Sequence, residues 1–321
     1  MNNKKVRLWA AGLLLSLGLF GGCASKEQGT ETQEVTDQSE KQLAVDEGKK
    51  QLEVKWPYYE IIKDGQVQGY LLGTIHVGKQ SMYPFPERIL GDLEKSFNFI
   101  TEIKMSEFEN PETGEKAQEA MAAEEPLTTN MTDDAREKYQ EILKDYGYQE
   151  KDVASMNRFG VSQMLQAKVL PAVAATYGVD MQLSAHAKKN KNQKNIGLET
   201  VAFQYQVLPK MYEEPEDINA WIETLETKEK YKEAMDELLQ AYVDGKISEI
   251  YENPETSGMS SEQNEILLVN RNMNWIEQLP EYLQKENQSF IAVGAGHLPG
   301  EKGLLNLLSQ AGYETSLVTF E

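Results

Sequence analysis

Tyr70-Leu71-Leu72-Gly73-Thr74-Ile75-His76 and Ile291-Ala292-Val293-Gly294-Ala295-Gly296-His297 share one form: an apolar strand, a glycine, two residues, a histidine. The chain has only three histidines, and two of them occupy equivalent places in this recurrence. Each falls just beyond the carboxyl end of a predicted strand, where open α/β sheets gather their ligands. A glycine there lets the backbone turn sharply and brings the imidazole to a crevice. The plainer reading is a pair of unrelated loop histidines or core-capping ones. As a strand-end loop residue His297 is expected to add little to core packing.

Working outward from the first motif, residues 55–63 and 66–72 read as two strands joined at Asp64-Gly65, a hairpin turn signal. Pro86 suits the first turn of a helix reaching about residue 95, and a strand over 97–103 follows. Residues 106–130 are acidic and weakly periodic, a loop or short helices. Helical patterns then cover 133–146, ended by Gly147, and 152–170, stopped by Pro171. Gly178-Val179-Asp180 opens another helix, and 195–199 is a short strand. Trp221, Leu225, Tyr231, Met235, Leu238 and Leu239 give 216–246 a helical period, and a helix over 263–284 is interrupted or ended near Pro280. A strand over 289–293, a helix over 302–311 and a last strand over 314–320 close the chain. Strands at both ends and helices in the middle predict an α/β fold, a mostly parallel sheet flanked by helices with a central helical insertion.

The formal charge is −20, which argues against binding a phosphate backbone. Lys4, Lys5 and Arg7 precede an apolar run from Leu8 to Phe20, and Gly21-Gly22-Cys23 follows. The run is short for a membrane span and has the flanks of a secretory signal. Small residues before the chain's one cysteine resemble a bacterial lipobox, with Phe20 where Leu is usual. Residues 1–22 are therefore expected to be a lipoprotein signal peptide, with Cys23 lipidated. An uncleaved signal anchor is the alternative, and both place the body outside the cytoplasm, on the outer face of a bacterial membrane. Residues 24–53 hold no aromatic residue and cannot offset the entropy of ordering, so 23–53 is expected to be a flexible tether and 54–321 the folded domain.

Several polar residues stand where they need partners. Glu102 lies near the end of the apolar run Phe97-Asn98-Phe99-Ile100-Thr101-Glu102-Ile103, where a buried carboxylate is costly unless a cation, a metal or a donor meets it. The bland alternative is an edge-strand Glu facing solvent. Glu199 repeats the arrangement in Ile196-Gly197-Leu198-Glu199-Thr200. Asp180 either serves the site or caps its own helix. Arg271 and Asn272 interrupt the apolar helix of Leu267, Leu268, Val269, Met273, Trp275 and Ile276. A guanidinium there pairs with a buried carboxylate or holds a substrate carboxylate. His186, in Ser184-Ala185-His186-Ala187-Lys188-Lys189, is read as a surface residue. Gly294-x-Gly296 is no dinucleotide loop, since the third glycine is displaced to Gly300 behind Pro299 and no acidic partner follows.

The paired Gly73–His76 and Gly294–His297 motifs, with Gly178-Val179-Asp180, Gly197-Leu198-Glu199-Thr200, Arg271-Asn272 and Gly294-Ala295-Gly296-His297-Leu298-Pro299-Gly300, resemble the TraB/GumN family. That family includes pheromone-shutdown proteins and is related to the animal TIKI proteases. The resemblance spans about residues 70–313 and implies a fold like those of erythromycin esterase and the haem-binding ChaN proteins. It also implies that His76, His297 and Glu102 bind a divalent metal and cleave peptides. Family members often carry a second acid two positions after that Glu, whereas Lys104 stands there in this chain. The expected activity is thus a surface-anchored, metal-dependent hydrolase acting on peptides. Mn²⁺, Co²⁺ or Zn²⁺ would activate a water, with Glu102 or Glu199 as remaining ligand or general base. Arg271, Asn272 and Asp180 are its candidate substrate-binding residues. Two rivals stand beside it: a surface protein that binds a peptide pheromone without cutting it, and a metal-free hydrolase using His and Glu as acid and base.

Overall fold

The computed structural model describes residues 51–320, except 171, 252–258 and 285–287. The signal segment, Cys23 and most of the expected tether lie outside the described residues. The tether's last residues already belong to the fold, since the Leu52 N–H donates to the Ser81 carbonyl at 2.7 Å. Among the described residues, no helix is long and apolar enough to cross a membrane.

Among the described residues six strands form one sheet: β1 (Tyr58–Lys63), β2 (Gln66–Thr74), β3 (Asn98–Ile103), β4 (Lys194–Glu199), β5 (Ser289–Gly294) and β6 (Glu314–Leu317). Their order is β4-β3-β5-β2-β1-β6. The four neighbours β4, β3, β5 and β2 run parallel, so their carboxyl ends share one edge. The hairpin partner β1 is antiparallel to β2, and β6 closes the far edge antiparallel to β1.

Period-two alternation sorts the strand residues between two cores. Tyr70, Leu72, Phe99, Phe290 and Ala292 face one core, and Leu71, Ile100, Ile291 and Val293 face the other. Both faces being covered explains why these strands read as near-continuous apolar runs. Leu71, Ile100 and Ile291 are fully buried, each contributing roughly 1.5–3 kcal/mol of transfer free energy. The first core takes up the helical insertion, including Leu238, Leu239 and Tyr242 of helix Lys228–Val243. The second is closed by Trp275 and Leu279 of helix Asn270–Tyr282 and by Leu304 and Leu308 of helix Leu304–Gln310.

The helical stretches are shorter and more broken than their periodicity predicts. The pattern over 216–246 splits into Ile218–Thr224 and Lys228–Val243, because the Thr227 side chain accepts the Lys230 N–H and starts a new helix. The helix predicted from residue 152 begins at Arg158, capped by the Asn157 side chain on the Gly160 N–H. Residues 106–130 hold a full helix, Pro111–Met121. The stretch over 263–284 contains a π-helical turn at Glu265–Val269, immediately before Asn270–Tyr282. Such turns are rare and occur often at functional sites.

Candidate functional site

The parallel strands deliver four polar residues to one edge of the sheet. Glu102 lies next to the end of β3 and Glu199 ends β4, with Ile103 opposite Glu199 in the ladder. His76 and His297 follow the ends of β2 and β5, whose last residues, Thr74 and Gly294, are also opposite each other.

Arg271 sits between the two carboxylates and is 1% exposed. Its Nη2 donates to Oε2 of Glu102 at 2.6 Å and to Oε2 of Glu199 at 2.9 Å, and its Nε donates to Oε1 of Glu199 at 2.9 Å. Nη1 donates to the Leu267 carbonyl at 3.0 Å and lies 3.2 Å from Nε2 of His297. Leu267 belongs to the π-helical turn, so that irregularity presents a carbonyl to the guanidinium. All five guanidinium N–H groups are thereby engaged. The second oxygen of Glu102 accepts the Gly294 N–H at 2.8 Å. A Cβ at Gly294 would stand 3.1 Å from that oxygen, so the close approach favours glycine at the motif position. Gln204 donates to Glu199 at 3.1 Å and the indole N–H of Trp275 donates to the other Glu199 oxygen at 2.9 Å.

The two histidines are placed differently. His297 is 3% exposed, and its ring packs against Trp275 with centroids 4.3 Å apart. Its Nδ1 lies 2.7 Å from Oδ1 of Asn272, whose Nδ2 donates back to the His297 carbonyl and to that of Lys302. With Nδ1–H donating to Asn272, Nε2 is the acceptor for Arg271. The expectation that this histidine contributes little packing is corrected: it is a core residue with both ring nitrogens satisfied. His76 is 19% exposed at its side chain and has Nδ1 2.9 Å from Oδ1 of Asp180. Asp180 stands in the first turn of helix Val179–Ala187, which has no side-chain cap. That helix begins against the first motif: the Val179 N–H donates to the Ile75 carbonyl, and a Cβ at Gly178 would collide with the His76 carbonyl oxygen at 2.5 Å. Gly178-Val179-Asp180 is therefore the piece that brings the carboxylate to His76.

Proton affinities follow from this placement. Burial raises that of Glu102, but Arg271, His297, His76 and the Gly294 N–H outweigh it and hold its pKa down to about 2. Burial and the adjacent Arg271 push His297 down to about 3, against the pull of Glu102. Burial lowers His76 as well, yet Asp180 and, to a smaller degree, Glu102 raise its pKa above the ordinary 6.5. His76 is thus near enough to Glu102, Arg271 and His297 for their charges to act on one another.

The implied divalent metal can be tested against this donor set. An oxygen partner at Nδ1 of each imidazole is how proteins orient histidine ligands, and that much fits. The carboxylates do not, being paired with a guanidinium that also meets Nε2 of His297. Among the described residues no three His, Cys, Asp or Glu side chains converge as a metal-binding group. Arranged this way, the residues do not fit a metal ion.

Of the predicted substrate-binding residues, Arg271, Asn272 and Asp180 all turn toward the glutamates and histidines, with no polar atom of Arg271 left over for a ligand. His186 lies on the same helix as Asp180 but packs edge-on against Phe85, with centroids 6.3 Å apart, and is half-buried rather than fully on the surface. The sequence reading missed Trp275 and Gln204, which looked like an ordinary core aromatic and an ordinary helical amide. A groove of about 1150 Å³ lined by Trp56, Phe85, Leu298 and Phe320 includes none of the site side chains.

A doubly covered sheet with two strand-end histidines, two strand-end glutamates and a buried arginine between them defines the class of protein. The chain belongs to the TraB/PrgY/gumN family, which matches residues 58–316. It is 25% identical over 258 residues to the uncharacterized protein YbaP of Shigella flexneri and to that of Escherichia coli (strain K12). Each alignment covers 79% of this chain and 92% of the relative. No solved structure matches.

Proposed function

We propose that the domain hydrolyses a peptide or ester bond, with His76 as the general base that activates water. One observation carries this reading: His76 has a free ring nitrogen. Its Nδ1 lies 2.9 Å from Oδ1 of Asp180, its side chain is partly open to solvent, and Nε2 meets no polar partner among the described residues. His297, by contrast, has both nitrogens engaged.

In the proposed reaction a water gives its proton to Nε2 of His76 as its oxygen bonds to the carbonyl carbon. Asp180 keeps the Nδ1–H tautomer and stabilises the imidazolium. His76 then returns the proton to the departing amine or alcohol as the carbon–nitrogen or carbon–oxygen bond breaks. Glu102, Arg271, Glu199 and His297 form a fixed, fully hydrogen-bonded floor beneath this dyad.

The rate should report the dyad. With the folded pKa of His76 above 6.5, kcat/KM is expected to rise with pH through a midpoint above that value, since only neutral imidazole accepts the proton. In Asp180→Asn the raising charge is gone while burial still disfavours the cation. The midpoint should move below 6.5 and the plateau should fall. An unchanged midpoint in this variant would remove His76 from the role. If a broad panel of peptides and esters is bound but never cut, the peptide-binding alternative takes over.

We also propose that the domain acts outside the cell, held at the membrane through Cys23. The support is Gly21-Gly22-Cys23 behind a short basic-then-apolar leader. Cys23→Ser should abolish incorporation of labelled fatty acid and free the protein from the membrane fraction. Wild-type protein that retains Met1 when sequenced would refute the anchor.

A further inference from the structure

We propose that Arg271 is the resident cation of this site, so that a divalent ion and its guanidinium are alternatives for one position. Two buried carboxylates from adjacent strands require a positive partner, because desolvated charge is tolerated only when paired and hydrogen-bonded. Here the partner is supplied by the chain. Arg271 donates to both glutamates over 2.6–3.1 Å, and its two Nη atoms and Nε all have acceptors.

Three features build the position. The π-helical turn at Glu265–Val269 turns the Leu267 carbonyl onto Nη1. The Trp275 ring lies 4.9 Å from the guanidinium carbon, a cation–π contact. Nη1 also lies against Nε2 of His297, the nitrogen through which a metal would have to be held, since Nδ1 is occupied by Asn272. A divalent ion on Nε2 would face a fixed positive charge in a poorly screened interior. It would also find the nearest carboxylate oxygen of Glu102, 3.8 Å from Nε2, already accepting the Gly294 N–H.

The test needs no substrate, so it stands apart from the hydrolytic reading. Full-length protein purified without chelator should hold far less than one equivalent of transition metal by elemental analysis. Its melting temperature should be unmoved by EDTA or by added Mn²⁺, Co²⁺ or Zn²⁺. Arg271→Met empties the cation position and leaves the carboxylates. Mn²⁺ at a hundredfold excess over its dissociation constant should then raise the melting temperature by roughly 5 °C. Arg271→Lys keeps the charge, so it should stay metal-free, and Arg271→Gln, which is neutral and polar, empties the position in the same way if the Met variant does not fold. A stoichiometric metal in the wild type that EDTA removes would overturn the proposal. So would a Mn²⁺ response that is absent from Arg271→Met, or equal in Arg271→Lys and Arg271→Met.

Discussion

His76→Asn is expected to lower kcat/KM by roughly 10²–10⁴-fold, the span removed with a general base, while leaving the melting temperature nearly unchanged. The asymmetry between the two motif histidines is the reason. His76 is the partly exposed one, with Nδ1 beside Asp180 and Nε2 without a polar partner among the described residues. Asn keeps a polar group that can still meet Asp180, so little folding energy is lost. His297→Asn should behave in the opposite sense. That side chain is 3% exposed and packed at a tilt against Trp275, and it takes a hydrogen bond from Arg271. Truncating it opens a gap and leaves an Nη1 hydrogen unmet, so stability should fall, by about 1–3 kcal/mol for the unsatisfied donor alone. Urea unfolding of both variants, beside turnover of a peptide or ester identified with the wild type, separates the roles. Equal stability losses, or comparable activity in His76→Asn and wild type, would show that the free nitrogen is not the reactive one.

The inner strands β2, β3 and β5 were legible because they are near-continuous apolar runs, two of them carrying Gly73 and Gly294 near their ends, and burial on both faces produces that pattern. The strand-end positions of His76, Glu102, Glu199 and His297 followed, since a parallel sheet puts all carboxyl ends on one edge. The pairing of Arg271 could not be read from the chain. Its partners are 72 and 169 residues away, and a buried arginine is compatible with either a carboxylate of the fold or one of a substrate. Asp180 was ambiguous for a similar reason, because first-turn acids commonly cap helices. Here the close approach at Gly178 diverts it to His76.

Helix boundaries were less legible, because side-chain caps such as Thr227 and Asn157 cut periodic stretches that hydrophobic spacing alone continues. The π-helical turn had no local signal at all. The Leu267 carbonyl within it accepts from Arg271, a contact that hydrophobic spacing does not encode. Trp275 shows the same limit: a fully buried tryptophan at helical spacing reads as core, and only the structure shows its N–H on Glu199 and its face toward His297.

Arg271→Met should destabilise the fold by about 3–5 kcal/mol near neutral pH, the cost of breaking a buried ion pair by removing one partner. Its dependence on pH should identify the cause. In the wild type the folded pKa of Glu102 is about 2, below its ordinary 4.5, so its contribution is present above 4.5 and lost as pH falls through 2. His297 is held down to about 3 from 6.5, so the unfolded chain binds a proton that the folded one refuses, and stability also falls as pH drops from 6.5 toward 3. Both groups make the wild type acid-sensitive. Without the guanidinium, burial is left to dominate Glu102 and its folded pKa should rise above the unfolded value. The variant then gains from protonation that the wild type resists, and the loss of the nearby positive charge also relieves His297. The stability gap between the two proteins should therefore narrow as pH falls from 7 to 4. Urea titrations at four or five pH values measure that gap directly. A gap that stays constant would mean that Met at this position disrupts packing, and that the glutamates do not depend on Arg271 for their charge.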